Sequence, residues 1–127
     1  MVIDSSAILA VYFNEPSADW VSEQLLMHSH ILMSTVNLAE VLMRLRDRDP
    51  ANADVFEAQL IAQPIQFVAP DVTQTRIASR ARDLYPINFG DCFAYALAKS
   101  LGLPLLTLDA DFRKTDLTVL SPPDATE

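Results

Sequence analysis

Glycine is scarce in this sequence: 2 residues stand against 8 prolines in a chain of 127. That argues against a turn-rich all-β fold, whose tight hairpins call for residues tolerant of positive φ. Cysteine is scarcer still. Cys92 is alone, so no intrachain disulfide can form and a reducing compartment fits. Its thiol reads as a small buried hydrophobe rather than a nucleophile. No long apolar run is present either. The longest stretch free of Asp, Glu, Lys and Arg, Gln24 to Ala39, contains two His, two Ser, a Thr and an Asn, which excludes a membrane span. The N-terminus lacks a basic region and carries Asp4 inside its apolar run, unlike a signal peptide. A soluble, cytoplasmic protein is expected. Positive charge is also short, 9 Lys and Arg against 17 Asp and Glu, for a net charge of −8. Taken alone, that balance offers no affinity for nucleic acid.

What remains is a sequence 50% hydrophobic and 20% charged, ordinary for a globular protein. Its length suits one domain over residues 1–127, with the polar stretch 122–127 expected to be a flexible tail. Short apolar runs at Met1–Ile3, Ile31–Met33, Ile65–Val68, Leu105–Leu108 and Leu117–Leu120 read as strands. Between them lie helical patterns over Ala7–Phe13, Ser17–Met27, Ser34–Arg48, Ala53–Ala62 and Asp71–Leu84. Ser17 is placed as an N-cap, and Asp71 with Gln74 forms a capping-box pattern that turns Ile77, Ala78, Ala81 and Leu84 inward. Strands alternating with helices predict a three-layer α/β/α domain around a short central parallel sheet.

The stretch Pro86 to Phe112 anchors the functional reading. Asp91 opens an Ala-rich helix, Gly102 stops it, and Pro104 leads into an apolar strand ending at Asp109. Gly past a helix with Pro soon after is a stop signal. About 11 helical residues at ~1.5 Å carry the chain ~16 Å away. About 5 strand residues at ~3.3 Å bring it back. Asp91 and Asp109 therefore return to one edge of the sheet, where ligands bind in parallel α/β folds. Asp4, at the end of the first strand, reaches the same edge. Three carboxylates there repel one another unless cations neutralise them, and oxygen ligands of this kind suit Mg²⁺ or Mn²⁺.

Plainer readings coexist with this one. Asp91 after Gly90 fits an N-cap, Asp109 fits the start of a turn with Asp111, and Asp4 before two serines fits a cap. Glu40 points away from the Leu38/Val41/Leu42/Leu45 stripe and reads as a surface residue, paired with Arg44 or boxed with Asn37. His28 and His30 have no partner at ligand spacing.

Taken together, four stretches resemble PIN-domain ribonucleases, specifically the VapC-type toxins of bacterial toxin–antitoxin pairs. VIDSSAILAVYFNEP is similar to that family's opening, STVNLAEVLMRL to its second motif, and INFGDCFAYALAKSLGLPLLTLDADF to its third and fourth. The resemblance spans nearly the whole chain. It implies that Asp4, Glu40, Asp91 and Asp109 are catalytic acids, with Asp4, Asp91 and Asp109 as metal ligands. Ser6 falls on a supporting hydroxyl position, and Asp111 belongs to the closing motif as a further supporting candidate. The implied activity is Mg²⁺- or Mn²⁺-dependent hydrolysis of RNA, tRNA or rRNA. The implied partners are a cognate antitoxin that blocks the site and a second copy of the chain, giving a homodimer or a heterotetramer or larger with antitoxin. The rival reading is a non-cleaving PIN-fold module that binds RNA or a protein partner.

A net charge of −8 leaves RNA binding to be explained. Arg44, Arg46 and Arg48 share one helix, and Arg76, Arg80 and Arg82 share another. Arg44, Arg80, Arg113 and Lys114 are candidate phosphate contacts. The plainer reading pairs the arginines with Asp47, Asp49 and Asp83 on solvated faces. The hairpin from Val36 to Ile61, which exposes Met43, is a candidate groove for the antitoxin.

Overall fold

The computed structural model describes residues 1–123, so residues 124–127 of the expected tail lie outside the described residues. Strands β1 (Val2–Ile3), β2 (Ile31–Ser34), β3 (Ile65–Val68), β4 (Leu105–Leu106) and β5 (Val119–Leu120) form a parallel sheet in the order β3-β2-β1-β4-β5. Helices α1 (Ser5–Tyr12) and α2 (Ala18–Met27) join β1 to β2, while α3 (Thr35–Arg48) and α4 (Ala53–Ile61) join β2 to β3. α5 (Val72–Leu84) and α6 (Phe89–Leu101) then cross to the other side of β1 and lead into β4. A 3₁₀ helix, Ala110–Lys114, precedes β5.

Successive strand residues face opposite ways, and the core divides accordingly. Val2, Leu32 and Leu105 pack with Ala78 and Ala81 of α5 and Ala94 and Leu97 of α6. Ile3, Met33 and Leu106 pack on the other face with Ile8, Val21, Val41 and Leu60. This is the three-layer α/β/α arrangement that the alternation of elements predicts. Cys92 is buried beside α6's alanines, as a small hydrophobe would be.

Local chemistry fixes most ends, with several shifts from the sequence reading. The last two strands are shorter than their apolar runs, since only Leu105–Leu106 and Val119–Leu120 pair with each other. Ser34 caps α3 through Val36 N. Ser17 sits at the start of α2, yet its side chain makes no capping bond. Asp71 accepts from Gln74 N at 2.8 Å. The capping box stays half-made, because the Gln74 side chain turns inward and its buried Oε1 has no partner among the described residues. The inward face of α5 is Gln74, Ala78 and Ala81 with Ile77 packed beside them as expected, while Leu84 at its flank is 69% exposed.

α6 begins two residues before Asp91, with Asn88 as its cap. Its middle turns, Ala94 through Ala98, are wholly buried, as befits a helix apolar on every side. Gly102 ends it at φ 66°, and a Cβ there would meet nothing within 4 Å. The penalty for Gly102→Ala is therefore conformational. A loss of about 1 kcal/mol in urea unfolding is expected, and a gain in stability would contradict this account of the helix stop.

Candidate active site

The carboxyl ends of β1 and β4 lie side by side at the point where the strand order reverses, the usual ligand position in parallel α/β sheets. Asp4 leaves β1 there, 2% exposed, as the N-cap of α1. Its Oδ1 accepts from Ala7 N at 3.2 Å and from Ser6 Oγ at 2.6 Å, and its Oδ2 accepts from Thr107 Oγ1 at 2.5 Å. Each hydroxyl also accepts a backbone amide from the chain leaving β4: Ser6 from Leu108 N at 3.1 Å, Thr107 from Asp109 N at 3.0 Å. The cap reading and the site reading of Asp4 are thus both realised by one carboxylate.

Thr107 was not among the residues singled out from the sequence. The signal for it was present: a lone hydroxyl inside the run Leu105, Leu106, Thr107, Leu108, just before Asp109. A fully buried threonine has to place its hydroxyl on a partner, and here that partner is Asp4.

Asp91 is residue N3 of α6 rather than its cap. Asn88 Oδ1 accepts from Asp91 N at 2.9 Å, and the Asp91 carboxylate accepts from Asn88 N at 3.3 Å, a reciprocal capping box. Asp109 caps the 3₁₀ helix by accepting from Asp111 N at 2.9 Å, so the turn that the sequence allowed is real. Glu40 does not pair with Arg44 across the helix surface. Its Oε1 accepts from Asn37 Nδ2 at 2.8 Å and from Ser5 Oγ at 3.2 Å. Asn37 Nδ2 also donates to the carbonyl of Gly90 at 3.1 Å, tying α3 to the start of α6. The Glu40 carboxylate rests where a side chain at Gly90 would stand, so a Cβ there would overlap it.

These positions open onto one cleft of about 330 Å³. Asp4, Glu40, Asp91 and Asp109 all line it, together with Ser5, Ser6, Asn88, Arg44 and Arg48. Asp111, Arg80, Arg113 and Lys114 do not. Asp111 faces Lys114 at 3.5 Å, Arg113 lies 3.5 Å from Ser121, and Arg80 is exposed on α5. The ion pairs of the plainer reading also differ from expectation, since Arg46 reaches forward to Asp54 and Glu57 on α4. Asp49 instead accepts from Tyr12 and Asn52.

Burial pushes the Asp4 carboxyl up to about 6, against the hydrogen bonds from Ser6, Thr107 and Ala7 that favour its ionised form. Asp91 is pushed up to about 7, first by burial and then by Asp109, Asp4 and Glu40, with the Asn88 amide opposing. Among the described residues no three His, Cys, Asp or Glu side chains meet closely enough to form a ready-made ion site. The donor chemistry nevertheless fits a hard divalent cation, being all oxygen and carrying two carboxyls whose charged forms are disfavoured by burial despite their hydrogen bonds. For such an ion the side chains would have to draw together.

The raised values set a direction for stability in chelator. A carboxyl raised on folding holds its proton more tightly in the native state, so the contribution of these two groups to stability is greatest at the acid end and falls as pH rises from about 4 through about 7. Asp91→Asn removes one such group while keeping an oxygen for the Asn88 amide. Thermal unfolding with EDTA should find the variant's advantage over the native chain growing from pH 5 to pH 8. An advantage that shrinks over that range would refute the assignment.

Residues 1–117 match the model of the PIN domain. The chain is 36% identical over 127 residues to Ribonuclease VapC42 of Mycobacterium tuberculosis, covering 92% of this chain and 96% of that one. It is 33% identical over 129 residues to Ribonuclease VapC of Mycolicibacterium smegmatis, covering 94% and 99%. Among solved structures, Mycobacterium tuberculosis VapC20, a sarcin-ricin loop cleaving toxin, superposes with a TM-score of 0.80 at 15% identity over 95% of this chain and 98% of that one. A toxin–antitoxin complex from Klebsiella pneumoniae gives a TM-score of 0.80 at 15% identity over 97% and 98%. Those two likenesses speak for the fold, and the match over most of the sequence speaks for descent: the chain belongs to the PIN domain family.

Proposed function

We propose that the chain is an endoribonuclease toxin that hydrolyses RNA phosphodiester bonds with Mg²⁺ or Mn²⁺ and is held inactive by a cognate antitoxin. The observation that carries this reading is the meeting of Asp4, Glu40, Asp91 and Asp109 in one cleft at the sheet's switch point. The ribonuclease names of the curated relatives support it. Asp4, Asp91 and Asp109 are the ligands in this reading. A bound divalent cation there supplies positive charge to the transferring phosphoryl group and acidifies water. The protein's own part is positional. Ser6 and Thr107 fix Asp4, and the capping box fixes Asp91. Asn37 and Ser5 hold Glu40 by one oxygen, leaving Oε2 without a hydrogen bond among the described residues and able to take a proton from the attacking water. One observation favours the rival reading of a non-cleaving module, namely that the acids do not already converge as a three-ligand set.

Cleavage of total tRNA and rRNA by the purified protein decides between them. Discrete cuts are expected with Mg²⁺ or Mn²⁺. Chelator, Asp4→Asn and Asp91→Asn should each lower the rate at least ~100-fold, the scale lost with one preorganised charged group. Gly90→Ala, which displaces Glu40, should lower the rate while the protein still unfolds cooperatively. Uncut RNA from the folded native chain would hand the case to the binding module.

The antitoxin is assigned to an apolar groove of about 410 Å³ among α1, α2 and α4, lined by Ile8, Val11, Leu25, Leu26, Phe56 and Leu60. The expected hairpin groove is thereby revised: α4 contributes and α3 does not. Leu26 is 88% exposed at its edge, and α1 also lines the acidic cleft through Ser5 and Ser6. One segment in the groove therefore lies within reach of the site. The toxin–antitoxin complexes among the structural neighbours support such a partner. A homodimer, becoming a heterotetramer or larger with antitoxin, completes the proposal, with exposed Leu84 and Phe89 as apolar surface for it. No helix among the described residues is long and apolar enough to cross a membrane. Light scattering after co-expression with the antitoxin tests both contacts. Leu26→Arg should release the antitoxin at least ~10-fold more readily, the scale of losing one buried apolar anchor, while leaving the toxin dimeric. A native chain that runs as a monomer, or an unaffected complex, would count against the corresponding contact.

A further inference from the structure

Of the 9 positive side chains, most are paired or remote from the cleft. Arg46, Lys99 and Lys114 sit in ion pairs, Arg82 donates to the Ile87 carbonyl, and Arg113 reaches Ser121. Arg76 and Arg80 lie at exposed positions of α5, which sends no residue to the cleft. Arg44 and Arg48 differ from all of these. Both line the acidic cleft, and neither is in an ion pair among the described residues.

Their placement follows from α3. Glu40, Arg44 and Arg48 recur every fourth residue and so share one face, with ~6 Å of helix rise between neighbours. That step resembles the separation of successive phosphates along an extended strand. Arg48 is also oriented from behind. Its guanidinium carbon lies 4.0 Å from the centre of the Phe13 ring, and Phe13 packs edge-on against Tyr12 at 5.1 Å. Tyr12 is fixed in turn by its hydrogen bond to Asp49 at 2.6 Å. A guanidinium held this way keeps its forked donors free for an anion and loses less side-chain freedom on binding one.

The geometry points to Arg44 and Arg48 as a phosphate-binding subsite that holds the RNA strand along the α3 side of the cleft, next to the bond to be cut. This rests on the ribonuclease reading above. It also locates where a chain of net charge −8 would hold a polyanion: Arg44 and Arg48 line the cleft beside Asp4, Glu15, Glu40, Asp91 and Asp109, so attraction to phosphate is local to the arginine wall. The strand is thereby assigned to the α3 wall and not to Arg80, Arg113 or Lys114.

The test is binding of labelled bulk tRNA by the Asp91→Asn protein, in which cleavage is blocked, across a salt series with Mg²⁺ present. Arg44→Ala, Arg48→Ala, Arg48→Lys and Arg76→Ala are added to it in turn, and their melting temperatures confirm folding. Arg44→Ala and Arg48→Ala are each expected to weaken binding about tenfold and to lower the slope of log affinity against log salt by about 1. Arg48→Lys should lose less than Arg48→Ala, and Arg76→Ala should match its parent. The subsite is overturned if the parent does not bind tRNA, if the cleft variants bind like the parent, or if Arg76→Ala weakens binding as much as they do. Cleavage by the native chain is scored separately. Arginine effects without cleavage would sink the nuclease reading alone, and cleavage without arginine effects would sink the subsite alone.

Discussion

A carboxylate buried to 2% exposure at the end of the first strand has to be held by donors, and the ones that hold Asp4 come from both sides of the sheet's switch point. Ser6 belongs to α1, Thr107 to the chain leaving β4. Each hydroxyl gives its proton to Asp4 and takes a backbone amide from the β4 segment, at Leu108 and Asp109. These bonds lock the end of β1 to the end of β4 and place Asp109 beside Asp4. If they failed, the unsatisfied buried carboxylate would cost a few kcal/mol, and the two acids would no longer face one cleft.

A second lock acts from the helices. Asn37 is 1% exposed, and its amide nitrogen reaches both Glu40 and the Gly90 carbonyl, so both its hydrogens are used and Oδ1 is left without a partner among the described residues. An unsatisfied buried oxygen is a real penalty. It is offset by joining α3 to the start of α6, which sets Glu40 opposite Asp91. Glycine is needed at position 90 for this closeness, because any side chain would occupy the space of the Glu40 carboxylate. The scarcity of glycine noted in the sequence thus has a counterpart: one glycine ends α6 and the other admits an acid to the cleft.

The acids concentrate negative charge where a polyanionic substrate would lie, and the fold answers this with position rather than number. Arg44 and Arg48 line the same cleft from the helix that carries Glu40, while Arg46 between them turns outward to Asp54 and Glu57. A helix sends residues two apart to different sides. Three arginines in five residues therefore meet two different surroundings, and only a structure separates them.

Much was legible in the residues themselves. Alternation of short apolar runs with helical periods determined the three-layer α/β architecture, because burial on alternate faces has few other solutions. The helix stop at Gly102 and the cap at Asp71 were local, set by groups a few residues apart, whereas the cap expected at Ser17 makes no bond and Ser34 caps α3 instead. The return of Asp91 and Asp109 to one sheet edge followed from chain lengths. Tertiary structure alone decided the rest. Glu40 looked like a surface residue because its helical phase points away from the apolar stripe; the cleft lies on that same polar side, formed by α1 and α6 from distant parts of the chain. Thr107 became a partner of Asp4 across 103 residues of sequence. Asp111, Arg113 and Lys114 sit beside Asp109 in sequence yet outside the cleft, because the 3₁₀ helix turns them away. Periodicity fixes which side of an element a residue occupies. What stands opposite that side depends on how the elements pack, and here that packing determined the site.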